Sequence, residues 1–130
     1  MRKQTMSVAG IVALALMAGC NSKKTHPPTV QDIEVAKQDA QREVDQARAE
    51  ASKDIKSAQK VSGSSKSIAL AKAQGAYDIA MVKADGDHKV ATEKCLTSAA
   101  ALQQACKQQA DADYESAKAA AKATRVAREQ

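Results

Sequence analysis

The sequence predicts an all-α protein built from long, alanine-rich amphipathic helices with an eleven-residue periodicity. Alanine dominates the chain, and alanine, lysine, glutamine and glutamate are strong helix formers. The two prolines, Pro27 and Pro28, both precede the predicted helices. Small and apolar residues recur in steps of three, four and four. Eleven residues make three turns, so such a stripe stays nearly straight or supercoils slightly right-handed. The expected assembly is an elongated helical hairpin, a three-helix bundle or a coiled-coil-like association.

The first nineteen residues have the order of a secretion signal. Arg2 and Lys3 supply positive charge, and a run of apolar and small residues from Met6 to Ala18 follows. A helix that spans a bilayer needs roughly 20 apolar residues, and this run is shorter. We therefore expect residues 1–19 to be cleaved and not to remain as a membrane span.

The signal ends in the four residues Met17, Ala18, Gly19 and Cys20. This segment resembles the lipobox of bacterial lipoproteins, in which a hydrophobic residue and two small residues precede the cysteine that is modified. The resemblance implies that signal peptidase recognises the three residues before Cys20 and that Cys20 carries a covalent lipid, with no other cofactor. Each buried methylene contributes about 0.8 kcal/mol and two acyl chains already hold a protein stably, so this lipid implies a lasting membrane anchor.

Residues 20–29 are expected to form the lipidated end and a flexible linker, since they are polar and contain both prolines. By analogy with lipoprotein sorting, Asn21 after the cysteine favours the outer membrane, with the protein facing the periplasm. The periplasmic face of the inner membrane is the alternative. Residues 30–130 then form the helical region.

Three helices are predicted, over about 30–61, 66–95 and 98–128. Thr29 and Asp32 have the spacing of a capping box at the start of the first helix. Ser62-Gly63-Ser64-Ser65 is a run of poor helix formers that should end it. The first stripe comprises Ile33, Ala36, Ala40, Val44, Ala47, Ala51, Ile55 and Ala58.

The stripe resumes in a shifted phase beyond the serine-rich break, which favours two helices there. A folded bundle and one rod of about 150 Å are both compatible with the sequence. Gly75 and Gly86 lie in this second stripe, where glycine permits two backbones to approach closely. Its other members are Ile68, Ala71, Ile79, Val82 and Val90. The third predicted stripe comprises Leu102, Cys106, Ala110, Tyr114, Ala117 and Ala121.

Cys95 and Cys106 are the cysteines that remain beyond the anchor. In an unbroken helix they would stand about 16 Å apart, whereas a disulfide needs Cα atoms within about 7 Å. An internal bridge therefore requires a bend, for which Thr97-Ser98 is the favoured place. A bridge between two chains and two free thiols are the alternatives. Two cysteines do not make a four-ligand zinc site, so no metal is expected, and His88 is interpreted as a surface residue.

The two cysteines and the alanine-rich tail after them resemble a segment of small uncharacterised envelope lipoproteins of Gram-negative bacteria. In those proteins a glycine often lies between the cysteines, and this chain has none there. In composition the mature chain is also loosely similar to the helical region of TolA-type proteins and to the murein lipoprotein. The resemblance implies an envelope compartment more than an activity.

Composition argues against several classes of function. The chain has no Trp or Phe and two Tyr, so it lacks the aromatic walls of a typical substrate pocket, and we expect neither an enzyme nor a small-molecule substrate. After residue 19 the formal charge falls from +5 to about +3, because 18 basic residues face 15 acidic ones, and nothing in that balance indicates nucleic-acid binding.

The expected role is therefore structural or interactive. A lipid-anchored helical protein would self-associate or contact envelope proteins, and it would bind peptidoglycan, if at all, without a covalent bond. The alternative is an accessory or regulatory module that acts on another envelope protein through its helix stripe.

Overall fold

The computed structural model describes residues 28–129, which form three α-helices and no strand. Helix α1 spans Val30–Val61, α2 spans Ser65–Leu96 and α3 spans Ala100–Glu129. Each has about nine turns, so each is close to 45 Å long. The all-α class and the folded helical bundle are confirmed, and the single continuous rod is excluded.

Local sequence signals set the start of α1 and the first turn. Thr29 Oγ1 accepts a hydrogen bond from the Asp32 amide, and the Asp32 carboxylate accepts one from the Thr29 amide at 2.7 Å, which completes the capping box. Gly63 follows α1 with a φ of +58°, a left-handed conformation that glycine adopts without steric cost. Ser64 then caps α2 by accepting a hydrogen bond from the Ser67 amide at 3.1 Å. The chain therefore reverses direction within a few residues.

Helix α2 lies at the centre of the described chain. Helices α1 and α3 both pack along it in antiparallel orientation and make no contact with each other. Two buried residues of α2, Gly75 and Gly86, face α1, whereas Ala73, Ala84 and Cys95 face α3. At 3.6 residues per turn these two rows lie on nearly opposite sides of α2. The described residues therefore form an open bundle, a flat layer three helices wide.

Alanine and glycine bring α1 and α2 into close contact. A Cβ atom added to Gly75 would stand 2.7 Å from the Cβ of Ala51, and one added to Gly86 would stand 2.6 Å from the Cβ of Ala40. Both the two glycines and the two alanines are eleven residues apart, so the contact repeats after three turns. The close backbone approach expected at these glycines is present.

Leu102 departs from the predicted stripe of α3. It is 62% exposed, whereas Ala110 and Ala121 of the same stripe are buried. Cys106 lies opposite Cys95, near the end of α2, so Leu102 extends past the last turn of α2 and has no helix to pack against.

Candidate functional site

The predicted anchor lies outside the described residues. Met17, Ala18, Gly19 and Cys20 precede residue 28, and the signal peptide and most of the linker do so as well. The lipidation of Cys20 therefore stays a prediction from the sequence. The sites that the structure does describe lie between α2 and α3 and on the two open faces of the layer.

Cys95 and Cys106 form a disulfide within the chain, with their Cα atoms 5.5 Å apart. Cys95 is 1% exposed and Cys106 is half-buried, so the bridge lies between α2 and α3. Of the three arrangements that the sequence left open, the internal bridge is the one present. It ties the end of α2 to the first turns of α3.

The turn before α3 forms without a glycine. Thr97 Oγ1 donates a hydrogen bond to the Lys94 carbonyl at 2.7 Å and closes α2. The Gln103 side chain donates from Nε2 to the carbonyls of Leu96 and Ser98, at 3.2 and 3.1 Å. Helix ends leave carbonyls without intrahelical partners, and here side chains satisfy them. The bend is therefore located at Thr97-Ser98, as expected.

A polar cluster around Tyr114 joins the middle of α2 to α3. Its phenol donates a hydrogen bond to the Asp85 carboxylate, and its ring stacks on His88 with centroids 4.8 Å apart. Lys118 Nζ lies 4.5 Å from the centroid of the same ring, a cation–π distance. His88 Nε2 in turn lies 2.7 Å from Asp111 Oδ1. Asp85, His88 and Lys118 contact the Tyr114 side chain, which therefore packs α3 against α2.

Two pKa values in this cluster are shifted. The hydrogen bond to Asp85 raises the pKa of Tyr114, because ionisation would break the bond and place two negative charges together, and burial adds to the rise. The hydrogen bond from Lys118 to Glu115, at 2.9 Å, raises the pKa of Lys118. Both shifts favour the protonated forms of Tyr114 and Lys118. Such groups do not exchange protons readily near neutral pH, so the cluster is better described as a structural contact than as a site of proton transfer.

The sequence pattern does not predict this cluster. The pattern places Tyr114 on the stripe of α3 and His88 at the surface, whereas the His88 side chain is 29% exposed and in contact with the ring. His88 lies four residues after Ala84 and seven before Cys95, which face α3, and that spacing places it on the same side of α2. This spacing is the sequence signal that places His88 on the side of α2 that faces α3.

A second aromatic contact lines an open groove between α2 and α3. Arg125 lies over the Tyr77 ring, with its Cζ 4.7 Å from the centroid. The groove has a volume of about 350 Å³, and alanines of both helices make up most of its lining. Most of the surface that it exposes is apolar, and its polar groups belong to Tyr77, Lys83, Asp87, Thr124 and Arg125.

The layer has two open faces, which we name by residues of α2. The Lys83 face contains Lys83 and Asp87, which line grooves towards both α1 and α3. The Asp85 face lies on the other side of α2 and contains Asp85 and Lys89. Lys89 Nζ contacts Glu43 of α1 at 2.9 Å, so a cross-helix ion pair lies on this face.

Within residues 28–129 no group of three or more His, Cys, Asp or Glu side chains is placed to hold a metal ion. None of the three helices is both long and apolar enough to cross a membrane. Comparison with protein-family models, curated proteins and solved structures gives no match for this chain.

Proposed function

We propose that this chain is a lipid-anchored envelope protein whose three-helix layer has a structural or protein-interaction role in the periplasm. The observation that carries the proposal is the Cys95–Cys106 disulfide. Disulfides persist in oxidising compartments and are rare in the cytosol, so the bridge supports export of the chain. Export in turn supports the interpretation of residues 1–20 as a signal peptide followed by a lipidated cysteine.

The arrangement of the polar groups supports a role without catalysis. The titratable side chains around Tyr114 are engaged with one another, and the groove beside Tyr77 is lined mainly by alanine. Catalysis requires convergent polar groups beside a bound substrate. We therefore assign the protein to binding and not to chemistry.

The open faces are the proposed interaction surfaces. A regulatory module acting through the stripe of α1 would use Ala40, Val44 and Ala51, which pack against α2. A partner on that stripe would first have to displace α2. The two faces of the layer remain accessible to a second copy, to another envelope protein or to peptidoglycan, and so we place the interaction there.

Lipid labelling with membrane fractionation tests this proposal. The full chain and its Cys20→Ala variant are expressed in a Gram-negative bacterium that is fed labelled palmitate. We expect label on the parent chain and its recovery in the outer membrane, with both lost in the variant. A Cys95→Ala/Cys106→Ala variant is the matched control, because it also loses cysteines but should keep the label. An unlabelled parent chain in the cytoplasm would contradict the proposal.

A further inference from the structure

We propose that a second copy of the chain packs on the Asp85 face, with α1 of each copy along α3 of the other. The inference rests on the self-association part of the proposed function and is independent of the lipid anchor. It is drawn from two rows of opposite charge on one face of the layer.

The first row is acidic and belongs to α1. A groove on the Asp85 face contains Asp32, Asp39 and Glu43 together with Lys89. The eleven-residue repeat continues the row to Glu50 and Asp54, because Glu50 follows Asp39 by eleven residues and Asp54 follows Glu43 by eleven. Within the row, Asp39 pairs with Arg42 of the same helix and Glu43 pairs with Lys89 of α2. Glu50 and Asp54 are exposed and form no ion pair within residues 28–129.

The second row is basic and belongs to α3. Lys118 lies on the Asp85 face because it contacts Tyr114, which bonds to Asp85. Lys107 precedes Lys118 by eleven residues and Lys122 follows it by four, so both share its side of α3. The acids interspersed among them are Asp111 and Glu115, and these pair with His88 and Lys118 in the same chain.

The two rows lie at matching heights along the layer. Ala40, Gly86 and Tyr114 lie near one level, since Ala40 faces Gly86 and Tyr114 bonds to the preceding residue, Asp85. Glu43 and Lys118, one turn further along α1 and α3, therefore share a level, because the two helices run in the same direction. By the same alignment, the height of Glu50 along the layer is within about one helical turn of that of Lys122. Asp32 lies at nearly the same height as Lys107.

Symmetry then selects one dimer. A two-fold axis parallel to the helices lays α1 of one copy over α3 of the other, so that acids face bases at both edges. A two-fold axis across the helices would instead place α1 on α1, with acids against acids. In the favoured arrangement the two α2 helices meet along Leu70, Met81 and Thr92, which are also eleven residues apart.

The Lys83 face does not offer such rows. On that side of α1 the charges alternate and are paired within the helix, as in Lys37–Glu34 at 2.9 Å and Arg48–Asp45 at 3.0 Å. The groove on the same side of α3 is lined by Ala117, Ala120 and Thr124. Charge complementarity therefore favours the Asp85 face for self-association.

Charge reversal in the full mature chain, solubilised in detergent at low salt, tests the dimer. Glu50→Lys and Lys122→Glu should each weaken the dimer about tenfold, because each changes two symmetric contacts from attraction to repulsion. The Glu50→Lys/Lys122→Glu double variant exchanges the charges and should restore affinity. Lys72→Glu is the matched control for Lys122→Glu, because it makes the same charge change at an exposed residue on the Lys83 side of α2.

Sedimentation equilibrium gives the dissociation constants, and circular dichroism checks that every variant keeps its helices. A dimer that both single variants weaken and the double variant restores supports the proposal. Monomers at every concentration, or equal weakening by Lys72→Glu, would overturn it, and so would unchanged affinity in Glu50→Lys. Since palmitate labelling does not depend on dimerisation, the anchor and the dimer can fail separately.

Discussion

Gly75 of α2 lies against Ala51 of α1 so closely that a Cβ on the glycine would stand 2.7 Å from the alanine Cβ. The atom in the way is a backbone-proximal Cβ and not the end of a flexible side chain, so one helix would have to move. The glycine is therefore required by packing, although it is unfavourable for the helix itself by about 1 kcal/mol relative to alanine.

Gly75→Ala should destabilise the protein by about 1 kcal/mol. The gain in helix propensity is outweighed by overpacking, which costs about 1–3 kcal/mol in a well-packed contact. Urea unfolding followed by circular dichroism measures the change. The Gly75→Ala/Ala51→Gly variant moves the missing Cβ to α1 and should recover part of the loss, and a stabilising Gly75→Ala would contradict the packing described for this pair.

Removal of the disulfide should lower the free energy of unfolding by about 2–3 kcal/mol. A bridge that closes a loop of this length restricts the unfolded chain, and its loss restores that freedom. The Cys95→Ala/Cys106→Ala variant is compared with the parent chain by urea unfolding, and the parent chain with reductant provides a second comparison. Equal stability of the oxidised and reduced parent chain would contradict the role of the bridge as a clamp.

Gln103→Ala should weaken the turn between α2 and α3 by about 1 kcal/mol, because two carbonyls lose their side-chain donor. Gln104→Ala is the matched control, since Gln104 is exposed and has no such contact. The effect should be larger in the cysteine-free variant, in which the turn is no longer clamped. Equal effects of the two glutamine substitutions would contradict the claim that the Gln103 side chain stabilises the turn.

The contact between Tyr114 and Asp85 predicts a loss of stability at alkaline pH. The pKa of Tyr114 is raised in the folded chain, chiefly by its hydrogen bond to Asp85. Its contribution to stability is therefore complete below the unfolded pKa of about 10 and is lost as the pH rises through the folded pKa. The urea midpoint of the parent chain should fall above about pH 10.

Tyr114→Phe removes this titration, so the urea midpoint of the variant should fall less steeply over the same alkaline range. Tyr77→Phe is the control, since it removes a phenol that has no carboxylate partner in the described residues. Tyrosinate absorbance in Tyr77→Phe reports Tyr114 alone and should titrate above the ordinary tyrosine range. If the urea midpoints of the parent chain and Tyr114→Phe fall equally steeply with pH, the Tyr114 phenol does not contribute to the alkaline loss of stability.

The fold could be predicted from the sequence because its signals are local. Thr29, Asp32 and the Ser62–Ser65 run delimit helices through caps and turns, and the eleven-residue stripe in α1 marks a buried side. The second buried row of α2, which contains Ala73, Ala84 and Cys95, was missed. Because it lies opposite the first row, α2 has no single apolar side, and a search for one stripe finds only half of its packing.

The contacts between α2 and α3 could not be predicted in the same way. The pairing of Tyr114 with Asp85 depends on the register between two helices, and that register follows from the turn at Thr97-Ser98 and the Cys95–Cys106 bridge. Spacing along one helix places His88 on the side of Cys95, but it does not specify which residue of α3 lies opposite.

Intact mass spectrometry of the protein isolated from its membrane, with and without reductant, tests the central claim most directly. The account predicts a chain that begins at Cys20, carries acyl groups on that residue and gains two hydrogens on reduction. A full-length chain with residues 1–19 attached, or a cleaved chain without lipid, would contradict the claim that Cys20 anchors this protein in the envelope.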